Sequence, residues 1–313
     1  MAVSFANLPK FLVKNLLPAL RALPPRAAIK VVSAMGRLEF ALNWSRRKKY
    51  CEAVSRVSDH FGESWDPSRT GRELAANQFR WRARDVLLDR LDDEEVSPYF
   101  HVTGAEHLDE ARRRGKGVIL LFNHFGPFLM PAHWIARQGY PLRWFTERPR
   151  QISRLVSREF GDDGPLGQRR LFISRRLSTK EGSTAIRQAV RILKAGMIVQ
   201  IAGDVRWSGP RTAPGVFLGR RYRFTTTWVS LAAMTGSPVV PVFSVMLPDG
   251  SCSLEFLEPF EVSPDAMKTN EVDTIVQRNL DQIEEQIHKY PENSLEYLFW
   301  SESDPNGGDA EAA

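Results

Sequence analysis

Cysteine is scarce: Cys51 and Cys252 are the only two in 313 residues, and they lie far apart. That spacing excludes a disulfide framework and a cysteine metal cluster, and it fits a reducing compartment. Long apolar runs are missing too. The longest, Val229 to Leu247, is interrupted by Gly236, Pro238 and Pro241, so it reads as a helix end, a turn and a strand rather than a membrane span. Residues 1–24 carry Lys10, Lys14 and Arg21 and show no apolar core ending at a small-residue cleavage site, so no secretory signal is expected. No Gly-x-Ser-x-Gly elbow occurs, which weighs against an α/β-hydrolase. Neither the Gly-x-x-x-x-Gly-Lys-Ser/Thr phosphate loop nor the Gly-x-Gly-x-x-Gly dinucleotide fingerprint is present. His-Glu-x-x-His and Cys-x-x-Cys are absent as well, and no metal or bound cofactor is expected.

What is present describes a globular protein with a sizeable core: 42% hydrophobic and 26% charged residues. The net charge is +6, and Arg outnumbers Lys in the second half. Such a balance suits phosphate-bearing partners, namely anionic lipid headgroups, phosphopantetheine carriers or nucleic acid. A nucleic-acid partner is not expected, because charge alone supports it and no recognition motif accompanies the charge. A solvated basic surface is the plainer alternative.

The chain reads as three parts. Residues 1–97 form an amino-terminal helical region. Leu8, Phe11, Leu12 and Leu16, then Ala28, Val31, Val32, Met35, Leu38, Phe40 and Leu42, recur on one side of two pieces parted by Pro24-Pro25. Lys10, Lys14, Arg21, Lys30 and Arg37 fall on the other side. That pattern fits a helix at a membrane interface, and equally a helix packed on a domain. The cluster Arg46-Arg47-Lys48-Lys49 follows, then a helical stretch over 51–92 with Trp65 and Trp81 as core aromatics. Residues 98–304 alternate short apolar strands with amphipathic helices. The order argues a mainly parallel sheet flanked by helices. Residues 305–313 are small and acidic and read as a disordered tail.

The stretch around which this order turns is Gly117 to Phe128. A wholly apolar run, Val118 to Phe122, stops at Asn123-His124, and Gly126-Pro127 opens the next segment. The run suits a strand buried on both faces, and Pro127 suits the first turn of a following helix. His124 then sits at a strand's carboxyl end, where open α/β sheets place their ligands. The plainer reading is that His124 caps the next helix. Two other expected strands end in polar residues: Glu147-Arg148-Pro149 and Gly203-Asp204. In a parallel sheet all three ends share one rim, so a base, an acid and a cation can converge there. Those are the groups needed to take a proton off a hydroxyl and to stabilise an oxyanion.

Several blocks in this order resemble the late lipid A (lauroyl/myristoyl) acyltransferase family of the lysophospholipid acyltransferase-like group. They are Leu121 to Phe128, Glu147-Arg148-Pro149, Leu193 to Val199 running on to Gly203-Asp204, Gly215 to Arg220, Thr235 to Val242, Leu254 to Pro259, and Tyr290-Pro291-Glu292 followed by Trp300. The resemblance implies a glycerolipid acyltransferase-like α/β fold. It implies transfer of a fatty acyl group from an acyl carrier protein or CoA thioester to a hydroxyl of a membrane glycolipid. It also implies a place at the cytoplasmic face of the inner (plasma) membrane; the basic amphipathic amino-terminal region, with no spanning segment, adds the expectation of peripheral attachment to an anionic surface. By matching position His124 is the general base of a His-x-x-x-x-Asp/Glu hallmark, Arg148 binds phosphate or shapes the site, and Asp204 is an acid at the third strand end. Asn123, Arg220 and Arg221 are further expected substrate contacts.

One position departs from the hallmark: Leu129 stands where the acid is required. Either Asp204 or Glu147 orients His124 instead, with Asp204 favoured because it also matches an acidic family position. A surface ion pair with Arg150 is the plainer role for Glu147. Otherwise the chain is a non-catalytic lipid- or acyl-carrier-binding member of the same family.

Overall fold

The computed structural model describes residues 20, 22–88, 91–147, 170–173, 179–207, 209 and 211–300. The amino-terminal helical piece over residues 8–16, the helix expected over 152–160, Arg148, Arg150 and the acidic tail lie outside them. The helices are α1 (Pro25–Leu42), α2 (Trp44–Phe61), α3 (Pro67–Leu88), α4 (Asp93–Val96), α5 (Ala105–Arg113), α6 (Met130–Arg137), α7 (Thr179–Lys194), α8 (Thr227–Thr235), α9 (Glu271–Lys289) and α10 (Leu295–Leu298). The strands are β1 (Phe100–Thr103), β2 (Val118–Phe122), β3 (Leu142–Glu147), β4 (Arg170–Ile173), β5 (Ile198–Ala202), β6 (Thr212–Phe217), β7 (Arg220–Thr225), β8 (Val239–Met246) and β9 (Cys252–Phe256).

Seven strands form one sheet in the order β1-β9-β8-β2-β5-β3-β4. Strands β8, β2, β5, β3 and β4 run parallel, while β9 pairs antiparallel with β8 and carries β1 beside it. The sheet is therefore mainly parallel, as the alternation of elements implies. Its apolar runs sit where their composition puts them. Strands β2 and β8 are buried at every residue, whereas β9 alternates buried with half-buried positions and β1 half-buried with exposed ones.

Period-two alternation splits the core into two. Ile119, Leu121, Val199, Ile201 and Phe243 face a cluster that takes in Phe40, Tyr50, Val54 and Leu74 of the first three helices, with α7, α8 and α9. Val118, Leu120, Phe122, Ile198 and Val240 face the other cluster, under α5 and α6. Each fully buried Leu, Ile or Phe contributes about 1.5–3 kcal/mol relative to leaving it exposed. Trp65 packs at the edge of the first cluster and Trp81 at the edge of the second.

Two local features differ from the expected reading, and a third adds to it. The helix expected over 51–92 is two helices: Gly62 closes α2 in the left-handed conformation at φ 67°, and the Asp66 carboxylate accepts from the amides of Ser68 and Arg69 as α3 begins. The helix after His124 starts at Met130 rather than Pro127. Gly126 takes φ +55°, and a turn follows in which the Met130 amide donates to the Pro127 carbonyl. The block Gly215 to Arg220 is the tip of an antiparallel hairpin, β6–β7, turning through Leu218 (φ 48°) and Gly219 (φ 73°). Two successive positive φ values match the right-handed twist of the flanking strands.

The loop that carries His124 is pinned from outside. The Gly126 amide donates to the Asn293 carbonyl, and Asn293 Oδ1 accepts from the Met246 amide at 2.8 Å. A Cβ on Gly126 would collide with the Ser244 backbone carbonyl. Gly126→Ala adds this overlap to the strain of a positive φ and should cost at least about 1–3 kcal/mol. Urea unfolding of the purified variant, read as a lower midpoint at unchanged slope, checks this.

Candidate active site

The site grows from the pairing of β2 with β5. Phe122 sits opposite Ala202, and the ladder runs one bond further, where the Gly203 amide donates to the Phe122 carbonyl at 2.8 Å. Two residues beyond each member of the last pair stand His124 and Asp204. The extension needs Gly203: a Cβ there would lie 2.9 Å from both Asn123 Oδ1 and Asn279 Nδ2. Those two side chains exchange amide hydrogen bonds at 3.1 and 3.2 Å, locking the end of β2 to α9.

His124 and Asp204 meet directly. Asp204 Oδ1 lies 2.8 Å from His124 Nδ1, and Asp204 Oδ2 accepts the His124 backbone amide at 2.8 Å. Oδ2 also accepts the Tyr297 hydroxyl at 2.6 Å. The Asp204 side chain is fully buried, while that of His124 is 31% exposed. Burial alone pushes the Asp204 carboxyl upward. The neighbouring His124 charge, with the hydrogen bonds from His124 and Tyr297, outweighs it, so the net pKa lies below the ordinary carboxylate value. An ionised Asp204 fixes the proton of neutral His124 on Nδ1, the ring nitrogen that faces it.

Aromatic rings wall one side of the histidine. Phe128 meets it edge-on at 4.9 Å and stacks on Phe122 at 5.9 Å, and Trp81 continues the wall beyond Phe128. On the Asp204 side, the Arg206 guanidinium sits 4.3 Å over the Trp300 ring and 5.5 Å from that of Tyr222. The segment carrying it is held by two backbone bonds to the hairpin, Trp207 amide to Arg223 carbonyl and Thr225 amide to Val205 carbonyl.

The other expected site residues fall in different places. Glu147 ends β3, on the far side of β5 from β2, so its backbone reaches the same rim; its side chain lies outside those described. Arg148 lies outside the described residues. Asn123 is buried against Asn279, turned into the fold rather than toward the rim. Arg220 and Arg221 alternate along β7 and part company. Arg220 lines a cavity of about 270 Å³ with Arg56, Tyr222, Tyr297 and Trp300, whereas Arg221 lines a shallow groove with Asp273, Gln277 and Arg278. Leu129 occupies the N-cap position of α6 and is 7% exposed, packed in the second core cluster. Tyr297 and Arg206 were not expected from the sequence. Arg206 carried a signal, two residues beyond Asp204; Tyr297 sits in a four-residue helix with no periodicity to read. Among the described residues no group of three or more His, Cys, Asp and Glu is placed to hold a metal ion.

A mainly parallel α/β sheet thus carries a histidine–carboxylate pair at the carboxyl ends of adjacent central strands, where such sheets place their ligands. Compared with known families, the chain matches the bacterial lipid A biosynthesis acyltransferases over residues 5–298, and it belongs to that family. Comparison with individually curated proteins returned no match.

The geometry makes Leu129→Glu a diagnostic variant. The carboxylate would enter an apolar cluster while Nδ1 is already engaged by Asp204. The substitution should lower stability by roughly 2–4 kcal/mol and bring no gain in acyl transfer. Thermal unfolding and turnover of the one variant check both halves.

Proposed function

We propose that this protein moves a fatty acyl group from an acyl carrier protein or CoA thioester to a hydroxyl of a membrane glycolipid of the lipid A type. The observation that carries the reading is the 2.8 Å contact between His124 Nδ1 and buried Asp204 in a chain of this family. His124 Nε2 takes the proton of the acceptor hydroxyl as its oxygen attacks the thioester carbonyl. The resulting imidazolium is stabilised by ionised Asp204. When the tetrahedral intermediate collapses, the carbon–sulfur bond breaks and the imidazolium returns its proton to the leaving thiolate. An ester and a free thiol result, with no net gain or loss of protons. With Nδ1 engaged by Asp204, the orienting role proposed alternatively for Glu147 falls to Asp204. Arg148 is proposed to hold phosphate on the strength of the family resemblance alone; Arg220, which lines the same cavity as Tyr297, is the cation proposed for the same task among the described residues. The non-catalytic alternative drew its support from Leu129, and the Asp204 contact supplies the partner whose absence motivated it.

We propose further that α1 and the start of α2 rest on the cytoplasmic surface of the inner membrane. Val31, Leu38 and Leu42 share one face of α1 at i, i+7 and i+11, and Trp44 follows; Leu38 is 57%, Leu42 77% and Trp44 73% exposed. Lys30, Lys48 and Lys49 are exposed nearby in sequence. Arg46, expected to face an anionic surface, turns inward instead, donating to Glu39 at 2.7 Å and to Tyr50 and Gln78. No helix among the described residues is long and apolar enough to cross a membrane. An apolar stripe and a basic patch together anchor a chain where either alone is marginal.

Two measurements test these readings. Mass spectrometry of lipids from cells carrying the protein should show a glycolipid heavier by one acyl group, and His124→Ala should reduce it roughly 10²–10⁴-fold in initial rate in a protein that still folds cooperatively. An unchanged lipid profile, or a His124→Ala protein that works normally, refutes the catalytic reading. In flotation with vesicles containing phosphatidylglycerol, the wild type should bind less as salt rises, and the combined Leu38→Ser, Leu42→Ser and Trp44→Ser variant should bind weakly at any salt. Equal binding by that variant refutes the proposed membrane face.

A further inference from the structure

The carboxyl-terminal segment sends one side chain to the dyad. After the single turn Pro291–Asn293, α10 carries Tyr297, which is fully buried. Its ring is clamped edge-on between Phe217, at 5.2 Å, and Trp300, at 5.0 Å. Its hydroxyl donates to Asp204 Oδ2 at 2.6 Å, and that same oxygen accepts the His124 amide. Two donors on Oδ2 fix the plane of the carboxylate, and Oδ1 is left aimed at the imidazole.

We propose that Tyr297 is a positioning residue: through its hydroxyl it sets the Asp204 carboxylate so that Oδ1 holds His124 in one tautomer and one orientation. The inference rests on the reading of His124 as the base. Tyr297 is bonded to the Asp204 oxygen that the His124 ring does not use, so it acts through the carboxylate and not on the substrate. Burial first, and the Asp204 charge next, push the Tyr297 hydroxyl well above the ordinary tyrosine pKa. It therefore remains a donor throughout the range in which Asp204 is ionised. A filler residue would need only the ring. The 2.6 Å bond to a buried carboxylate is what a ring alone does not supply, because charge-assisted O–H···O⁻ bonds are the short and strong ones.

Tyr297→Phe removes the hydroxyl and keeps the ring, its contacts with Phe217 and Trp300, and the cavity wall. Acyl transfer should lose roughly tenfold in kcat with KM for donor and acceptor unchanged, on the scale seen when a partner that orients a histidine is removed. The low-field proton resonance of the His124 Nδ1–H should move further downfield, because a carboxylate that has lost one donor accepts more strongly from the other. Site-specific replacement of Tyr297 by a fluorinated tyrosine, a stronger donor of the same shape, should move it the opposite way. Unchanged kcat together with an unmoved resonance in the Phe variant would overturn the proposal, as would a resonance that moves the same way in both variants. If the wild type transfers no acyl group, the catalytic reading of His124 fails, and the two resonance shifts still decide whether Tyr297 positions the pair.

Discussion

The register of β2 against β5 is the constraint on which the site depends. With Phe122 opposite Ala202 and the Gly203 amide on the Phe122 carbonyl, the chain ends of two neighbouring strands advance together. His124 and Asp204 then stand side by side without any contribution from sequence proximity. A slip of one residue would turn Asp204 to the other face of the sheet and separate the pair. What prevents the slip is burial. Both strands are packed on both faces, so a shifted register would move Leu121 and Ile201 from one apolar cluster and Leu120 from the other.

Around that pairing the protein fastens its rim to distant parts of the chain. Asn279 on α9 grips Asn123, Asn293 holds the Gly126 amide and the end of β8, and Tyr297 reaches Asp204. All three come from the last stretch of the chain, which lies on the outside of the sheet by order but closes the site by contact. The Asp204 charge is supported by three hydrogen bonds, and an isolated buried carboxylate would be far costlier. The acid is thus tied to the folded core, while the histidine ring keeps one face toward solvent and an aromatic wall.

Much of this was legible in the sequence because it follows from short-range chemistry. The apolar run ending at His124 declared a doubly buried strand, and the polar ends at Glu147 and Asp204 declared a shared rim. Leu129 in place of an acid pointed to a partner elsewhere, and Asp204 was the favoured substitute. The helix start after His124 was misplaced because Pro127 is compatible with a first turn, yet Gly126 at positive φ and a preceding turn claim those residues. Asn123 looked like a rim residue because it adjoins His124; successive residues past a strand point to opposite sides, and its side chain pairs inward with Asn279. Arg46 carries the same lesson in a helix: within a basic run, the three-dimensional face and not the run decides which cation meets Glu39 and which meets solvent. Tyr297 was beyond reach, since nothing local in a four-residue helix marks a contact spanning 93 positions.

The family match gives the chemistry its class, and the proposed base and its orienting acid come from the ends of separate strands. The account stands on coupling between those two residues. A double-mutant cycle on acyl transfer, using His124→Ala, Asp204→Asn and the pair, measures that coupling directly. If Asp204 acts through His124, the double variant should be no slower than His124→Ala alone, because a carboxylate with no imidazole to orient has nothing left to contribute. Rate losses that multiply, or an Asp204→Asn protein as fast as the wild type, would contradict it.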